Sequence, residues 1–459
     1  MAHGLTAREV ERQWLRLQGT PNHCRPDAPC TLGSGILRLQ ASELDHWAQR
    51  GAGLSPDDVM RFIPASGAAT RMFEALLAKD PDSMAQMEAR WAEFPFQDDA
   101  EASGPCETVA QKWSALMERL ALQHQPKGAI PFHREAHGVE TAFEAQLGEW
   151  AETLGTGVAP LHFTLPALGF DEVWATTSAA AALRGVDCTA SVQNPMTDTL
   201  ALDERGRPFM MAKGPLFRPG GHGALLHNLQ ALAEAHPGRL ISIKNIDNVR
   251  PRAAWPSVLP WRRALLGLTK TVVEARNGAL EALEAGDATP ARQWLERWPG
   301  RQRDALPEGL NELRTALDRP LVVAGMVRNE GEPGGGPFWV RDDEGVLRAQ
   351  IVESSEMDGR DADVRRALAN ATHFNPVDLV CGLCDASGRT YDLTQYVDGS
   401  RDFLVSRSHQ GRPLRGLEHP GLWNGGMGRW NTVFVEVDSA TFAPVKTVFD
   451  LLRPAHRAT

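Results

Sequence analysis

Apolar, strand-like runs alternate with helical stretches through the middle of this chain. The runs occupy residues 161–165, 240–243 and 321–327, and helical patterns lie at 140–154 and 221–235. In proteins with this alternation, each helix covers one face of a sheet and connects two parallel strands. The alternation therefore predicts an α/β core around a mixed, mostly parallel sheet.

Outside this core the sequence pattern is different, and a chain of 459 residues is longer than one hydrophobic core usually organises. We expect three parts: a loop-rich N-terminal attachment at 1–59, the α/β core at 60–370 and a β-rich C-terminal region at 371–459. A charged helical pattern at 253–319 predicts a helical insertion within the core, and we expect a second helical insertion at 80–125.

Composition and charge argue against several classes of protein. A formal net charge of −10 disfavours a nucleic-acid-binding protein, because phosphate backbones are bound by surplus lysine and arginine. No apolar run approaches the roughly 20 residues of a membrane span, and the polar start of the chain does not resemble a secretory signal. Six scattered cysteines fit a reducing compartment, and Cys381 and Cys384 have no second pair at zinc-binding spacing. We therefore expect a cytoplasmic protein.

Small side chains separate the apolar run 60–65 from a helical pattern at 70–79. The stretch contains Ser66, Gly67, Ala68, Ala69, Thr70 and Arg71. Small residues let backbone N–H groups approach a phosphate at a helix N-terminus, and an arginine adds a charge-assisted contact. Tight helix packing predicts the same small residues, so both interpretations stay open at this point.

A lysine and an aspartate further along the chain are candidates for the same phosphate chemistry. Lys127 follows Pro126 in a rigid, extended segment, which presents an ammonium to a phosphate with little ordering cost. Asp247 lies just beyond an apolar run, where α/β folds collect ligand-binding groups, and one aspartate suffices to anchor Mg²⁺ together with phosphate oxygens. A solvated lysine and a helix-capping aspartate are the alternatives.

A glycine-dense turn that contains Gly221, His222 and Gly223 leads into a helical pattern. Glycines at such a turn allow a planar ring to lie against the backbone, whose N–H and C=O groups then read the edge of the ring. A plain turn with an exposed histidine fits the sequence equally well.

Together these stretches resemble the UDP-sugar pyrophosphorylase superfamily, whose core is a GT-A-type, Rossmann-like α/β domain. In chain order, SGAATRM, PKGAIPF, RPGGHGAL and KNIDN resemble the superfamily's nucleotide loop, Pro-Lys segment, nucleobase loop and metal-binding strand end. Downstream, QIVESSE, NATHF and FAPVK resemble its V-E-Y-S-E, N-x-x-H-F and F-x-P-x-K segments. The forms ASGAATRM and IPFH are most similar to a bacterial family known only as domain of unknown function 4301.

The resemblance implies a function and a set of site residues. The implied enzyme is a nucleotidyltransferase that joins a nucleoside triphosphate, with UTP favoured, to a sugar 1-phosphate and releases pyrophosphate with the help of Mg²⁺. The implied site residues are Arg71, Lys127 and Lys446 for catalysis; Asp247 for the metal; Ser66, Gly67, Ala68, Ala69, Thr70, Gln193, Gly221, His222 and Gly223 for the nucleotide; and Glu353, Ser355, Glu356, Asn370 and His373 for the sugar phosphate.

Two other functions stay open. A GT-A glycosyltransferase would consume a nucleotide sugar, but it usually has a D-x-D-like metal site, whereas the IDN stretch has a single aspartate. A non-catalytic protein that binds a nucleotide or nucleotide sugar fits Ala65, Ala68 and Ala69, which stand where the superfamily usually has glycine. The sequence does not indicate which sugar or base is used, or the oligomeric state.

Overall fold

The computed structural model describes residues 2–97, 108–119, 125–136, 138–298, 300, 306–331, 334–342 and 344–457. Its strands are β1 (Pro26–Pro29), β2 (Thr31–Leu32), β3 (Gly35–Leu37), β4 (Val59–Pro64), β5 (Pro131–Glu135), β6 (Gly138–Thr141), β7 (Leu161–Leu165), β8 (Cys188–Val192), β9 (Thr199–Leu200), β10 (Met210–Met211), β11 (Gly214–Pro215), β12 (Phe217–Arg218), β13 (Leu240–Lys244), β14 (Leu321–Arg328), β15 (Gly336–Arg341), β16 (Leu347–Val352), β17 (His373–Gly382), β18 (Phe403–His409), β19 (Arg412–Glu418) and β20 (Asn431–Glu436). Its α-helices are α1 (Ala7–Gln18), α2 (Ala41–Ala52), α3 (Glu74–Leu77), α4 (Pro81–Ala89), α5 (Val109–Arg119), α6 (Ala142–Ala151), α7 (Phe170–Leu183), α8 (Leu225–Ala235), α9 (Trp255–Glu284), α10 (Thr289–Arg297), α11 (Leu310–Leu317) and α12 (Ala362–Ala369).

Contacts between Cα atoms divide the chain into two compact units, and each unit is assembled from three separate stretches of sequence. Unit 1 combines residues 1–40, 193–240 and 268–437, and unit 2 combines residues 41–192, 241–267 and 438–459. These units are defined by contacts and not by consecutive stretches of chain. The three consecutive domains expected from the sequence therefore stay a prediction. In the described part of the chain, every helix is too short or too polar to cross a membrane.

Unit 1 is built on a mixed sheet with the strand order β2-β3-β20-β14-β17. The first four strands are parallel, and β17 runs antiparallel to β14. Nearly every residue of β14 is buried, as expected for a strand covered on both faces. An antiparallel sheet, β1-β15-β16, and the β18-β19 hairpin complete this unit's larger strand pairings. The expected mixed, mostly parallel sheet is therefore confirmed.

Unit 2 contains the strand order β13-β4-β7-β8, in which β4, β7 and β8 are parallel. The residues of β7 and β13 are all buried, including the polar His162, Thr164 and Ser242, as expected for strands covered on both faces. A separate hairpin, β5-β6, leads directly into α6. That helix begins with a capping box in which Thr141 and Glu144 bind each other's backbone N–H groups.

A buried ionic cluster fixes two strands of unit 2 to α6. Glu149 of α6 accepts hydrogen bonds from Arg61 of β4 at 2.9 Å and from Lys244 of β13 at 2.8 Å, and it also pairs with Arg262. All four side chains are almost fully buried. Buried charges persist only when they are paired, so the shared carboxylate ties β4 and β13 to α6.

The helix predicted at residues 70–79 is largely interrupted. A 3₁₀ helix spans Ala69–Arg71, and α3 is a single turn. Lys79 then adopts a left-handed backbone conformation with φ of 54°, and the Asp80 side chain caps α4 instead. Capping by aspartate and a residue with positive φ both end a helix, which the apolar spacing alone does not reveal.

Candidate functional site

The loop after β4 is held open by backbone hydrogen bonds to the segment that contains Lys127. The Ala69 N–H donates to the Gln125 carbonyl at 3.1 Å, and the Lys127 N–H donates to the Gly67 carbonyl at 3.0 Å. Ala69 is fully buried, whereas Gly67 and Ala68 are exposed. A Cβ atom added at Gly67 would meet no described atom within 4 Å. Packing therefore explains Ala69, and the tip of the loop is open to a ligand.

Lys127 and Asp247 form an ion pair beside this loop. The distance from Lys127 Nζ to Asp247 Oδ2 is 2.6 Å, and the side chains are 17% and 22% exposed. Lys127 begins a 3₁₀ helix, Lys127–Ala129, whose Gly128 lies directly against the Phe143 ring. The pair is thus fixed from behind and accessible from solvent, as a site for a charged ligand requires.

The backbone after β13 places Asp247 by means of the next residue, Asn248. The buried Asn248 side chain donates to the Thr441 carbonyl at 3.2 Å and accepts from the Ala443 N–H at 2.8 Å. The Asp247 carbonyl itself accepts from the Val445 N–H at 3.2 Å. Asn248 ends the KNIDN stretch, but the sequence assigned a role only to Asp247 because an uncharged asparagine is not a metal-ligand signal.

The C-terminal segment of unit 2 also reaches the loop. The Val448 N–H donates to the Met72 carbonyl at 2.9 Å, and Asp450 accepts from the backbone N–H groups of Lys446 and Thr447. Lys446 is exposed on this segment. Unit 2 thus brings together the 66–72 loop, Lys127, Asp247 and the segment that carries Lys446. Arg71 closes the 3₁₀ helix at this loop, and the predicted role of its side chain lies outside the described residues.

The predicted nucleobase turn lies in unit 1, where it packs against the segment after β19. His222 Nδ1 accepts from the Leu422 N–H at 3.2 Å, and its ring lies 4.6 Å from the Trp423 ring. Burial lowers the pKa of His222 to about 4, which keeps the imidazole neutral. A Cβ atom at Gly223 would lie 2.1 Å from the Pro420 carbonyl oxygen. Close packing therefore accounts for this glycine, and nucleobase binding stays a prediction.

Glu356, a predicted sugar-phosphate ligand in unit 1, is engaged inside the protein. The buried carboxylate accepts two hydrogen bonds of 2.8 Å from the Arg401 guanidinium and one of 3.1 Å from Asn424. It also accepts from the Glu353 N–H at 2.6 Å, which caps the short 3₁₀ helix that contains Ser355. This arrangement makes Glu356 a brace for the 353–356 turn.

The remaining predicted residues of unit 1 have local contacts of their own. Gln193 is half-buried, with its side chain 3.5 Å from the Thr197 hydroxyl. Asn370 donates to the Arg366 carbonyl and ends α12. The buried His373 contacts the Thr372 hydroxyl at 2.9 Å, and its Nε2 lies 3.6 Å from Glu436. Burial lowers the pKa of His373 despite the neighbouring Glu436 carboxylate.

A family model described as a domain of unknown function, DUF4301, matches residues 1–111 and 97–457. The two matches overlap and cover nearly the entire chain. The chain belongs to the DUF4301 family. A search of curated proteins found no match for this DUF4301 protein.

The fold of this DUF4301 protein is similar to that of solved sugar-nucleotide enzymes. UDP-N-acetylglucosamine pyrophosphorylase from Trypanosoma brucei, solved with an inhibitor, matches with a TM-score of 0.53 and 13% identity over 97% of this chain and 74% of the other. A mutant UDP-glucose pyrophosphorylase from Leishmania major, solved with UDP-glucose, matches with a TM-score of 0.48 and 12% identity over 98% and 75%. The match with a TM-score of 0.53, at 13% identity, shows that this chain has a fold similar to that of the Trypanosoma brucei enzyme.

The residues around Asp247 in the DUF4301 protein fit a magnesium ion. Mg²⁺ in phosphate-binding sites uses one or two carboxylates and completes its shell with phosphate oxygens and water. Asp247 offers one carboxylate that is accessible from solvent and is fixed through its own backbone and the side chain of Asn248. In this structure the positive charge of the Lys127 ammonium balances the Asp247 carboxylate, and a bound metal cation would supply the same kind of charge.

Proposed function

We propose that this protein is a nucleotidyltransferase that joins a nucleoside triphosphate, with UTP favoured, to a sugar 1-phosphate and releases pyrophosphate. The observation that carries the proposal is the 2.6 Å contact between Lys127 Nζ and Asp247 Oδ2 beside the open Gly67 loop. A cation, a carboxylate and exposed backbone at one place suit a ligand that brings both phosphate oxygens and a metal ion. The fold is similar to that of UDP-N-acetylglucosamine pyrophosphorylase, which supports both the proposed nucleotidyltransferase function and a GT-A-type core.

In this mechanism the protein positions its substrates and stabilises charge. Lys127 binds the phosphates that leave as pyrophosphate, and the loop at Gly67 lets backbone approach them closely. A Mg²⁺ ion held by Asp247 would act as a Lewis acid on the phosphate oxygens. The attacking oxygen belongs to a sugar phosphate that is already ionised at pH 7, so the residues need not act as a general base. Asn248 keeps Asp247 in place through the 441–445 backbone.

The other predicted residues extend this proposal. Ser66, Ala68, Ala69 and Thr70 shape the phosphate loop, and Arg71 and Lys446 add positive charge to the phosphates. Gln193, Gly221, His222 and Gly223 bind the nucleotide, with His222 acting as a neutral group. Glu353, Ser355, Asn370 and His373 contact the sugar phosphate, and Glu356 acts as a positioning residue through Arg401.

A substrate panel tests the proposal. Purified protein is incubated with each pair of a nucleoside triphosphate and a sugar 1-phosphate in the presence of Mg²⁺, and pyrophosphate release is measured. We expect release with at least one pair, highest with UTP. Tight nucleotide binding without release from any pair would instead indicate a non-catalytic binding protein. Cleavage of a nucleotide sugar with transfer of its sugar would indicate a glycosyltransferase.

A further inference from the structure

Three side chains that commonly bind metals lie together on the β5-β6 hairpin of unit 2. One ring nitrogen of His133 and one carboxylate oxygen each of Glu135 and Glu140 lie within 4.8 Å of one another. His133 pairs directly with Glu140 across the hairpin, and Glu135 follows two residues later. Since side chains alternate along a strand, this register puts all three on one face.

A histidine pair determines which nitrogen of His133 is available. His133 Nε2 lies 3.2 Å from His456 Nδ1. A neutral imidazole has one N–H and one lone pair, so one nitrogen of this contact donates and the other accepts. With the His133 N–H on Nε2, this nitrogen donates to His456 Nδ1, and His133 Nδ1 keeps the lone pair of the ring.

This arrangement leaves His133 Nδ1 as a lone pair without a donor. His133 is fully buried, and among the described residues no group forms a hydrogen bond with its Nδ1. The neighbouring Glu135 and Glu140 carboxylates also accept and do not donate. Arginines pair with Glu140, but the buried His133 Nδ1 still has a lone pair to which a cation can bind.

The two carboxylates are oriented by surrounding donors. Arg184 Nη2 lies 3.2 Å and Arg252 Nη2 lies 3.5 Å from Glu140 Oε1. The Arg252 backbone N–H donates to Glu135 Oε1 at 2.9 Å. Carboxylates and imidazoles that bind metals are typically held by such outer contacts, as His133 is by His456.

We propose that His133 Nδ1, Glu135 and Glu140 bind one divalent transition-metal cation, of which Zn²⁺ is the best match. One imidazole and two carboxylates are ligands that Zn²⁺ accepts, whereas Mg²⁺ and Ca²⁺ prefer oxygen ligands alone. Glu135 is half-buried and gives the cation access from solvent. The site shares no residue with Asp247 and stands independently of the proposed function. Through His456, the metal would fasten the hairpin to the C-terminal segment.

Metal titration of the untagged, full chain tests this proposal, with no nucleotide or Mg²⁺ present. Co²⁺ serves as the spectroscopic probe, because its visible absorption reports a bound, low-symmetry ligand shell. We expect one Co²⁺ per chain, displacement by one equivalent of Zn²⁺, and a rise in Tm with Zn²⁺ concentration, because a ligand that binds only the folded state stabilises it. Absence of stoichiometric Co²⁺ and Zn²⁺ binding would refute the site.

Matched variants locate the bound metal. Glu135→Gln keeps an oxygen acceptor for the Arg252 N–H but removes the charged ligand, so it should weaken Zn²⁺ binding at least about tenfold. His133→Asn should abolish binding if that variant folds, and Glu135→Gln decides the question if it does not. Glu172→Gln, at an exposed glutamate of α7, and Asp247→Asn should bind Zn²⁺ as the wild type does. Unchanged affinity in Glu135→Gln would overturn the assignment.

Discussion

At the scale of single residues, the Lys127–Asp247 pair is the feature on which the proposed chemistry depends. We expect Asp247→Asn to reduce pyrophosphate-releasing turnover at least about 100-fold, equivalent to about 2.7 kcal/mol of lost transition-state stabilisation. The change is nearly isosteric, and the side chain is partly exposed, so the fold should persist. Steady-state kinetics with a circular-dichroism melt measures both effects.

Asp171→Asn is the matched control, because Asp171 is an exposed aspartate in the first turn of α7. It should retain wild-type turnover. An active Asp247→Asn enzyme would show that the metal ligand has been assigned to the wrong residue.

The buried His222 side chain leads us to expect that the stability of the protein depends on pH. Its pKa is about 4 in the folded protein, below the ordinary value of 6.5, so the unfolded chain binds more protons at intermediate pH. The stabilisation is present above pH 6.5 and is lost as the pH falls towards 4, by at most about 1.4 kcal/mol per pH unit. Urea unfolding at several pH values should show a shallower loss for His222→Gln, with His23→Gln as the matched control at an exposed histidine. Identical slopes for His222→Gln and the wild type would contradict this assignment.

At the scale of elements, the two predicted nucleotide-binding loops have different reasons for their glycines. Gly67 lies in open space without a left-handed backbone, whereas Gly223 lies against the Pro420 carbonyl. Gly67→Ala should change the free energy of unfolding by less than about 0.5 kcal/mol while raising the nucleotide KM, because its methyl group intrudes on the ligand. Gly223→Ala should lower the free energy of unfolding by about 1–3 kcal/mol through overpacking. Chemical denaturation and initial-rate kinetics measure the two effects, and a stable Gly223→Ala protein would argue against the packing role.

Sequence periodicity predicted the strands of unit 2 correctly, but it did not predict the structure of residues 70–79. The strands β7 and β13 are visible in the sequence as mainly apolar stretches, because both of their faces are covered. The short α3 and its termination at Lys79 were not visible, since apolar spacing carries no record of a positive φ. The acceptor cluster at His133 was likewise missed, because it depends on the register between β5 and β6 and on a histidine more than 300 positions away.

At the scale of the whole molecule, neither compact unit is a continuous stretch of the chain. Each unit is assembled from three stretches, and α9 begins in unit 2 and ends in unit 1. Local patterns indicate which elements form, but the pairing of segments hundreds of residues apart depends on side-chain complementarity that no window of sequence contains. The expected α/β class and family were therefore accessible from the sequence, and the interleaved units were not.

The hydrogen bonds that residues 441–448 make to Asn248, Asp247 and Met72 have a consequence for biosynthesis. The phosphate loop and Asp247 are translated well before the segment that fixes them, because Val445 follows Asp247 by 198 positions and Val448 follows Met72 by 376 positions. A nascent polypeptide therefore cannot hold a nucleotide in the proposed manner until translation has passed Val448, so incomplete translation products would not compete for substrate.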